Sequence, residues 1–571
     1  MYDMKIVDGL IIDGTGSPRY AGDVGIRDGR IVDLGSAPDS AKRTINAAGR
    51  VVSPGFVDIH THYDAQVFWD PLLTVSPWHG VTTAVMGNCG FTLAPTRREH
   101  RDLIMRTFER VEAISLPALE QSLGREWPFS TYPEYLDVVE RNGLGINAAS
   151  LIGHTAVRLN VMGLDSVERA ATEEEIAAMK GLVAEGLRAG AIGFSTSTAK
   201  AHHGFDGKPV PSRLSTPEER IALASTIREV GKGMVMMVGQ SDPRPWDEYI
   251  DLARASGAPV CWSVIQGTPG RYPAELAITR ELVSAGLKIY PQAACRPVLF
   301  EYHFGEPVGL MATWPLLSPI LRLKTVRDKI ALLADPEFRR RFREAIDGRN
   351  DTDLGVSADD AALRRRGFGM TEIAWYPPDR SLEGLSAQEV AKRQGRHVVD
   401  LVLDMSCDTS LEARFRTPQA NLEEEHLGAV LADPNVVLGL GDGGAHLAQL
   451  CDAVYATHFL GHWVRKKKLV SLEHAVHRLT MHPASVFGIK DRGRLATGRP
   501  ADIVIFDPEH VGCGPLKRVY DLPAGSDRMI SKPTGIDAVI VNGHVLPAPG
   551  EAFDKAEPLP GKLLRHGNAA G

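Results

Sequence analysis

The chain has 571 residues, and its acidic residues outnumber the basic ones by 71 to 64, which leaves no basic excess to neutralise the phosphates of a nucleic acid. No stretch approaches the roughly 20 apolar residues that span a bilayer, and the start MYDMKIVDGLIIDG lacks the basic and apolar segments of a signal peptide, so we expect no membrane partner. The six cysteines, at positions 89, 261, 295, 407, 451 and 513, show no CxxC spacing, which predicts reduced thiols and a cytoplasmic location.

Both ends of the chain have the pattern of short β-strands. Over the first 57 residues, β-prone runs such as KIVDG, LIIDG and RIVDLG are separated by Asp-Gly and Gly turns, as in hairpins. The same pattern returns near the C-terminus in ADIVIFDP and AVIVNGHVL. We therefore predict that residues 1–57 and 486–571 form one small β-sandwich.

Between these ends, over residues 58–485, short apolar runs alternate with helical stretches, the pattern of βα units and a parallel sheet. The predicted strands span residues 56–60, 82–87, 147–153, 191–196, 233–239, 259–265, 287–292 and 436–442. Eight strands are enough to close a barrel, so the sequence predicts an α/β fold, a (β/α)8 TIM barrel with its active site at the C-terminal ends of the strands. Residues 298–430 are too many for a loop, and we predict an insertion that covers the barrel mouth.

Two histidines follow the first predicted strand, in the run His60-Thr61-His62. Residues i and i+2 of a strand point to the same face, so His60 and His62 can bind one metal ion inside the barrel. The chain has 19 histidines, so a chance His-x-His pair is the alternative. The position directly after a Gly-Phe-Val-Asp strand favours the metal site.

Asp442 and Cys89 are the next candidate ligands. Asp442 closes the eighth predicted strand in VVLGLGDGGAH, where a carboxylate can bind a metal ion and take a proton from its bound water. Cys89 follows the second strand in GNCG, and a thiolate is a good ligand for zinc. Taken alone, each has a structural alternative: a turn aspartate before Gly-Gly, and a small buried residue in a tight turn.

Several segments together resemble the amidohydrolase superfamily, and within it the N-acyl-D-amino-acid deacylase (D-aminoacylase) family. They are PGFVDIHTHYD, HGVTTAVMGNCGFTLAP, LIGHTAVR, GAIGFSTS, GLGDGGAH and RLTMHPASVFGIKDRGRLATGRPADIVIFDP, and they run from near residue 50 to about residue 510. The resemblance implies a barrel of the amidohydrolase type with a β-sandwich made from both termini, bound zinc, and hydrolysis of the amide of an N-acyl amino acid.

The chain departs from this family at two zinc-binding positions. The family's fifth and sixth strands each deliver a histidine, whereas here GMVMMVGQ and PVCWSVIQG place Met237 and Val264 at these positions. Neither side chain replaces imidazole as a strong ligand. We therefore expect one metal ion, zinc, with manganese or another divalent metal as alternatives, held by the two histidines of the first strand and Asp442, with Cys89 in or near its shell.

Five further side chains are candidates for the site. Arg296, after the seventh strand, is expected to clamp a substrate carboxylate in a bidentate way, with an internal ion pair as the alternative. His154 ends the third strand and is expected to line the pocket or to have a structural role at the barrel rim. His202 and His203 follow the fourth strand and either reach the metal or substrate or form a surface pair. His446, close to Asp442, is a candidate partner of that carboxylate.

The sequence thus predicts a metal-dependent hydrolase that cleaves an amide carbon–nitrogen bond of a small molecule, with Asp442 as the general base for a metal-activated water. An alternative within the superfamily is hydrolysis of a lactone, ester or carbon–carbon bond, which the missing ligands and the apolar fifth and sixth strands favour. A third hypothesis is a non-catalytic barrel that kept the fold and lost the chemistry. A homo-oligomer is compatible with the sequence.

Overall fold

The computed structural model describes residues 1–124, 126–240, 243–305, 314–355, 358–553 and 558–568. The chain divides into two compact units. The first consists of Met1–Ile265, Gly270–Cys295 and Gly428–Gly571, and the second of Gln266–Pro269 and Arg296–Leu427. Of the helices within the described ranges, none has the length and apolar character needed to cross a bilayer.

The described part of the chain contains 24 strands, most of them three to eight residues long. In chain order they are β1 (Tyr2–Ile11), β2 (Tyr20–Arg27), β3 (Arg30–Gly35), β4 (Ala41–Asn46), β5 (Val51–Pro54), β6 (Phe56–Asp58), β7 (Val81–Met86), β8 (Asn147–Ser150), β9 (Ile152–Gly153), β10 (Phe194–Ser197), β11 (Val235–Val238), β12 (Val260–Ser263), β13 (Ile289–Ala293), β14 (Val298–Tyr302), β15 (Glu372–Trp375), β16 (Arg414–Ala420), β17 (Val437–Leu438), β18 (Ile503–Phe506), β19 (Gly512–Cys513), β20 (Lys517–Val519), β21 (Arg528–Ile530), β22 (Pro533–Thr534), β23 (Ile536–Val541) and β24 (His544–Val545).

The helices lie mainly between the strands of the central region. In chain order they are α1 (Arg101–Glu112), α2 (Leu116–Leu123), α3 (Tyr132–Asn142), α4 (His154–Met162), α5 (Glu173–Ala189), α6 (Pro217–Val230), α7 (Trp246–Ser256), α8 (Tyr272–Ser284), α9 (Ser318–Arg322), α10 (Val326–Ala334), α11 (Pro336–Ile346), α12 (Ala358–Gly369), α13 (Ala387–Arg393), α14 (Val398–Asp408), α15 (Glu424–Ala432), α16 (Tyr455–His458), α17 (Leu472–Leu479) and α18 (Met481–Val486). Local sequence fixes several starts: α3 and α5 each begin with a capping box, Thr131 with Glu134 and Thr172 with Glu175.

The two ends of the chain meet in one mixed sheet of eight strands. Its order is β24-β23-β18-β5-β1-β2-β3, and β4 also pairs with β1. Buried aliphatic residues from both ends share one core, among them Ile6, Val24, Ile503 and Ile540. The shared core explains why strands almost 500 residues apart in sequence stay together. The two-layered sandwich stays a prediction.

Each of the eight predicted central strands coincides with an observed strand, and neighbouring members pair in parallel. One sheet has the order β6-β7-β8 and another the order β17-β13-β12-β11-β10-β9. The backbone also joins them, because the Leu151 amide donates to the Met86 carbonyl (3.0 Å) and the His62 amide donates to the Gly443 carbonyl (2.7 Å). The predicted α/β class is confirmed.

The second unit has its own sheet and core. Strand β16 pairs antiparallel with both β14 and β15, and helices α9 to α14 pack around them. The core is aromatic in part, with Trp314 and Phe342 both within ring-contact distance of Phe368. The unit contains the helical sequence predicted within residues 298–430; its role as a lid stays a prediction.

Candidate metal centre

Four predicted ligands lie together at the ends of three strands. The Nε2 atom of His60 is 3.2 Å from the Sγ of Cys89, and the Nε2 of His62 is 3.9 Å from the same sulfur. The Oδ1 of Asp442 is 3.6 Å from the Nε2 of His60 and 3.9 Å from that of His62. The histidines and the cysteine are buried, whereas the side chain of Asp442 is 19% exposed, which makes it the least buried of the four.

The backbone explains why these side chains converge. His60 and His62 follow β6 with Thr61 between them, and the Thr61 hydroxyl donates to the Val85 carbonyl of β7 (2.7 Å), which fixes the intervening residue on the opposite side. Cys89 sits in the turn after β7 with a φ of 56°. Asp442, with a φ of 42°, donates its amide to the His60 carbonyl (3.0 Å). Ligands far apart in sequence are thus tied to one another by main-chain bonds.

Glycines around Asp442 are required by close approach. A Cβ at Gly441 would overlap the Asp58 carboxylate, and one at Gly443 would overlap the Tyr63 hydroxyl. Gly444 has a φ of +84°, and a Cβ there would lie 2.6 Å from the His62 carbonyl oxygen. The run Gly-Asp-Gly-Gly therefore allows the segment after β17 to press against the segment after β6.

The other ring nitrogens of the two histidines are held by partners from elsewhere in the chain. The Nδ1 of His60 is 2.7 Å from the Oε1 of Gln292 on β13. The Nδ1 of His62 is 3.1 Å from the Oε1 of Glu112 at the end of α1, an ion-pair distance whose angle is poor for a hydrogen bond. An acceptor at Nδ1 keeps the proton there and leaves the Nε2 lone pair free for a metal ion.

The charges of the cluster stabilise one another. Burial alone lowers the pKa of His62, but the charges of Glu112 and Cys89 outweigh it and raise that pKa well above its usual value. Burial alone raises the pKa of the Cys89 thiol, but His60 and His62 outweigh it and lower that pKa. The site therefore favours the thiolate, the form of cysteine that binds metals.

Sequence reasoning missed Gln292 and Glu112. Gln292 ends the seventh predicted strand, so the rule that polar residues at strand ends face the site would have found it. Glu112 lies in the last turn of α1, 50 residues beyond His62, and carries no such signal in the sequence.

Comparisons with known proteins identify the family of the chain. The sequence matches the amidohydrolase family over residues 43–547, which is most of the chain. The chain belongs to the amidohydrolase family. It is thus a metal-dependent hydrolase that acts on carbon–nitrogen bonds, and it resembles D-aminoacylase.

Relatives of this amidohydrolase align over nearly its whole length. An uncharacterised protein of Mycobacterium tuberculosis (strain ATCC 25618 / H37Rv) is 30% identical, covering 89% of this chain and 85% of its own. An N-acyl-D-glutamate deacylase of Alcaligenes xylosoxydans xylosoxydans is 29% identical, covering 99% and 96%. A solved structure of D-aminoacylase, described by the functional role of its binuclear metal centre, superposes with a TM-score of 0.66 at 25% identity, covering 99% of this chain and 100% of its own.

The residues that face the cluster on β11 and β12 are not the two that the sequence predicted at the family's further ligand positions. Met237 is in register with Trp262, whose ring stacks on Tyr249 of α7, so both point away from the metal cluster toward the helix layer. Because side chains alternate along a strand, Val238 is the residue of β11 that faces the cluster. The prediction that Met237 occupies this position is wrong.

The corresponding residue of β12 is Ser263 rather than Val264. Ser263 is in register with Val238 on one side and with Gln292 on the other. The Ser263 hydroxyl donates to the Oε1 of Gln292 (3.4 Å), the oxygen that contacts His60. Neither valine nor serine replaces imidazole as a strong ligand, and the loss of two histidine ligands stays a prediction.

His154 does not belong to the site. It is fully buried, its Nδ1 lies 2.8 Å from the Thr196 hydroxyl, and its Nε2 lies 2.8 Å from the Oε1 of Glu219, which also binds Arg158. Burial lowers the pKa of His154 to about 4, so the ring is neutral. Both nitrogens are used within the fold, which corrects the prediction that His154 binds substrate; the structural alternative is the right one.

The other predicted site residues, His202, His203, His446 and Arg296, differ in where they lie. The Nδ1 of His202 is 2.7 Å from the Ser197 hydroxyl at the end of β10, and its ring contacts Phe91. The charge of Glu112 acts on the pKa of His202, and that of His446 acts on the pKa of Glu112, so both histidines lie near this carboxylate. His203 instead bonds to the Ala201 carbonyl. Arg296 belongs to the second unit, and its role stays a prediction.

Proposed function

We propose that this amidohydrolase removes the acyl group from N-acyl-D-amino acids, using one metal ion held by His60, His62, Cys89 and Asp442. The observation that carries the proposal is the convergence of these four donor atoms from three strand ends. Deacylase relatives that align over 95% and 99% of the chain support the substrate class.

The donor set fits a zinc-like ion. Ligands of tetrahedral zinc lie about 2.0 to 2.3 Å from the metal, which separates the ligand atoms by roughly 3.3 to 3.8 Å. Four of the distances, those of Cys89 and Asp442 to the two imidazoles, run from 3.2 to 3.9 Å and fall close to this range. The ligand atoms of His60, His62 and Cys89 all lie within 4.8 Å of one another. Two imidazoles, a thiolate and a carboxylate are ligands that zinc accepts.

A single ion is enough for this proposal. Val238 and Ser263 stand where further ligands would be needed, and neither binds a metal strongly. The solved D-aminoacylase is described by one-metal activation and second-metal attenuation of its binuclear centre. That description supports a hydrolase in which one metal ion is sufficient for activity.

Asp442 is the residue that moves the proton. Its side chain is the least buried of the four ligands, so we assign to it the contacts with the attacking water and the leaving nitrogen. It accepts the proton of the water and then delivers it to the amine as the carbon–nitrogen bond breaks. When bound, the metal supplies polarisation of the carbonyl and a lower pKa for the water.

The proposal also covers the barrel, the terminal sandwich and the long insertion. The parallel strands β6 to β13 and β17 would form the (β/α)8 barrel over residues 58–485, with residues 1–57 and 486–571 as the sandwich and 298–430 as a lid over a small-molecule site. Strand pairing and the two main-chain links between the parallel sheets support the barrel. We also propose that the protein is cytoplasmic and that its metal ion is zinc rather than manganese.

A substrate panel tests the function. Zinc-loaded protein is offered N-acetyl-D-amino acids, their L-enantiomers, simple lactones and aryl esters. Turnover that prefers the D-amides supports the proposal. Turnover confined to lactones or esters would instead support hydrolysis of those bonds. Val238 and Ser263, which face the site, favour that alternative because they supply fewer metal ligands than the family has.

Replacing Gln292 tests how the imidazole of His60 is held. We expect Gln292→Leu to weaken zinc binding about 10- to 100-fold, because the Nδ1 proton of His60 loses its acceptor and the ring loses its orientation. Competition with a chromogenic zinc chelator measures the affinity. Gln292→Glu keeps an acceptor at this position and should retain most of it. Equal zinc affinities for the leucine variant and the unchanged protein would contradict the role assigned to this contact.

A further inference from the structure

The turn that carries Cys89 has a left-handed backbone at three of its four residues. Gly87 (φ 77°), Cys89 (φ 56°) and Gly90 (φ 80°) all have this conformation in the turn after β7. Glycine adopts it freely, but a residue with a side chain does so at a cost in free energy. The position of the Cys89 sulfur therefore depends on contacts that hold the turn in this shape.

Neighbouring segments of the chain hold the first half of the turn. The Gly87 amide donates to the Oδ2 of Asp64 (3.0 Å). The side-chain amide of Asn88 donates to the Val85 carbonyl (2.8 Å) and to the Thr61 carbonyl (3.3 Å). These bonds fasten the turn to β7 and to the residue between the two histidine ligands. None of them involves the residue that follows the cysteine.

One side chain joins the two ends of the turn. Ser195 lies on β10 and is completely buried. Its hydroxyl donates to the Gly87 carbonyl (2.5 Å) and accepts a hydrogen bond from the Gly90 amide (3.1 Å). These two partners enclose Asn88 and Cys89, so a single hydroxyl closes the loop that carries the sulfur.

The main chain of the turn packs directly against two strands. A Cβ at Gly90 would lie 3.3 Å from the Cα of Thr196 on β10, and one at Gly153 on β9 would lie 2.7 Å from the Gly90 carbonyl oxygen. Side chains alternate along a strand, and the Thr196 hydroxyl contacts the ring of His154 instead (2.8 Å). Ser195 is therefore the residue of this pair on β10 that faces the turn.

We propose that Ser195 is a positioning residue of the candidate metal centre: its hydroxyl holds the turn so that the Cys89 sulfur reaches the same ion as His60 and His62. The sulfur lies 3.2 and 3.9 Å from the Nε2 atoms of these histidines. Without the hydroxyl, a buried carbonyl and a buried amide lose these partners, and the left-handed cysteine loses support. The inference rests on the proposed function, because it takes the metal ligands from it.

Cobalt(II) is the probe for the test, because it replaces zinc in such sites and its bond to a thiolate gives a charge-transfer absorption in the near ultraviolet. Metal-free samples of the unchanged protein, Ser195→Ala, Ser195→Thr and Ser212→Ala are titrated with cobalt, and Cys89→Ser gives the baseline without the thiolate. Ser212 is the matched control. It is also completely buried, and its hydroxyl donates one bond, to the Ser197 carbonyl, and accepts one, from the Thr155 hydroxyl.

We expect Ser195→Ala to bind cobalt about 10- to 100-fold more weakly, the range for loss of a group that orients a metal ligand. At saturation it should lose most of the charge-transfer band and keep the visible absorption of cobalt held by the histidines. Ser195→Thr, which keeps a hydroxyl, should retain the band, and Ser212→Ala should match the unchanged protein. In metal-free protein, hydrogen exchange of the Gly90 amide should be faster in Ser195→Ala than in the unchanged protein or the control.

Three outcomes would overturn the inference alone. They are an alanine variant with the full band and affinity, an equal loss of the band in Ser212→Ala, and a folded Ser195→Thr protein without the band. The threonine variant decides by itself if the alanine variant does not fold.

Failure of the proposed function gives different results. If the unchanged protein shows no band that depends on Cys89, the cysteine leaves the ligand set, and the inference falls with it. A protein that gives the expected cobalt results but hydrolyses no N-acyl-D-amino acid refutes the proposed function and supports the role of Ser195.

Discussion

Asp442→Asn is expected to lower kcat by about 10²- to 10⁴-fold, the range over which a positioned acid–base group contributes to catalysis. The asparagine oxygen can still face the two imidazoles, which the aspartate now approaches to 3.6 and 3.9 Å, but it cannot take a proton. Zinc should remain bound through His60, His62 and Cys89, with reduced affinity. Initial rates on the best substrate of the panel, together with zinc content per chain, measure both effects.

Asp507→Asn is the matched control for this substitution. Its side chain is 14% exposed, close to the 19% of Asp442, and it pairs with Arg50 in the terminal sheet rather than with the cluster. We expect near-normal turnover for this control. An Asp442→Asn protein that binds zinc and keeps turnover within a few-fold of the unchanged enzyme would remove Asp442 as the base.

Glu219→Gln is expected to destabilise the first unit by about 3 to 5 kcal/mol, the cost of leaving one partner of a buried ion pair alone. Glu219 and Arg158 are both fully buried, and the carboxylate also accepts a contact from His154. The glutamine keeps the shape but leaves the charge of Arg158 without a counter-charge. The midpoint of urea-induced unfolding, followed by tryptophan fluorescence, measures the loss.

A double variant separates the charge effect from general damage. Arg158→Met with Glu219→Leu removes both charges, and we expect it to be less destabilised than Glu219→Gln alone. The free energy of unfolding of Glu219→Gln could instead lie within about 0.5 kcal/mol of that of the unchanged protein, a range typical of surface substitutions. That result would contradict the stabilising role of the buried pair.

The convergence of the four candidate ligands could be predicted because strand ends are a strong positional signal. His60, His62, Cys89 and Asp442 each follow a strand of a parallel set, and the C-terminal ends of such strands meet in space. The same rule does not give the direction of a side chain beyond the strand. His154 therefore looked like a pocket residue, although it begins α4 and turns into the helix layer toward Glu219.

Contacts supplied by helices and turns could not be predicted in this way. Glu112 reaches His62 from the last turn of α1. Its position depends on packing between elements rather than on a local pattern. The shift from Met237 to Val238 has a simpler cause, since a one-residue change in register moves a side chain to the other face of a strand.

Most of the fold could be predicted from the sequence. All eight central strands lie where alternation of apolar runs and helical stretches placed them, and the Gly-punctuated ends of the chain join in one sheet. The antiparallel sheet of the second unit was not predicted, because β14, β15 and β16 are separated by long helical segments and pair only through tertiary contacts.

Metal content per chain tests the central claim most directly. Elemental analysis is made on protein purified without added metal or chelator, and again after saturation with zinc and removal of the excess. The account predicts about one equivalent in the saturated protein, lost in a His60→Ala, His62→Ala double variant. About two equivalents would contradict the one-ion site and show that other residues replace the missing ligands. No bound metal after saturation would contradict the candidate metal centre altogether.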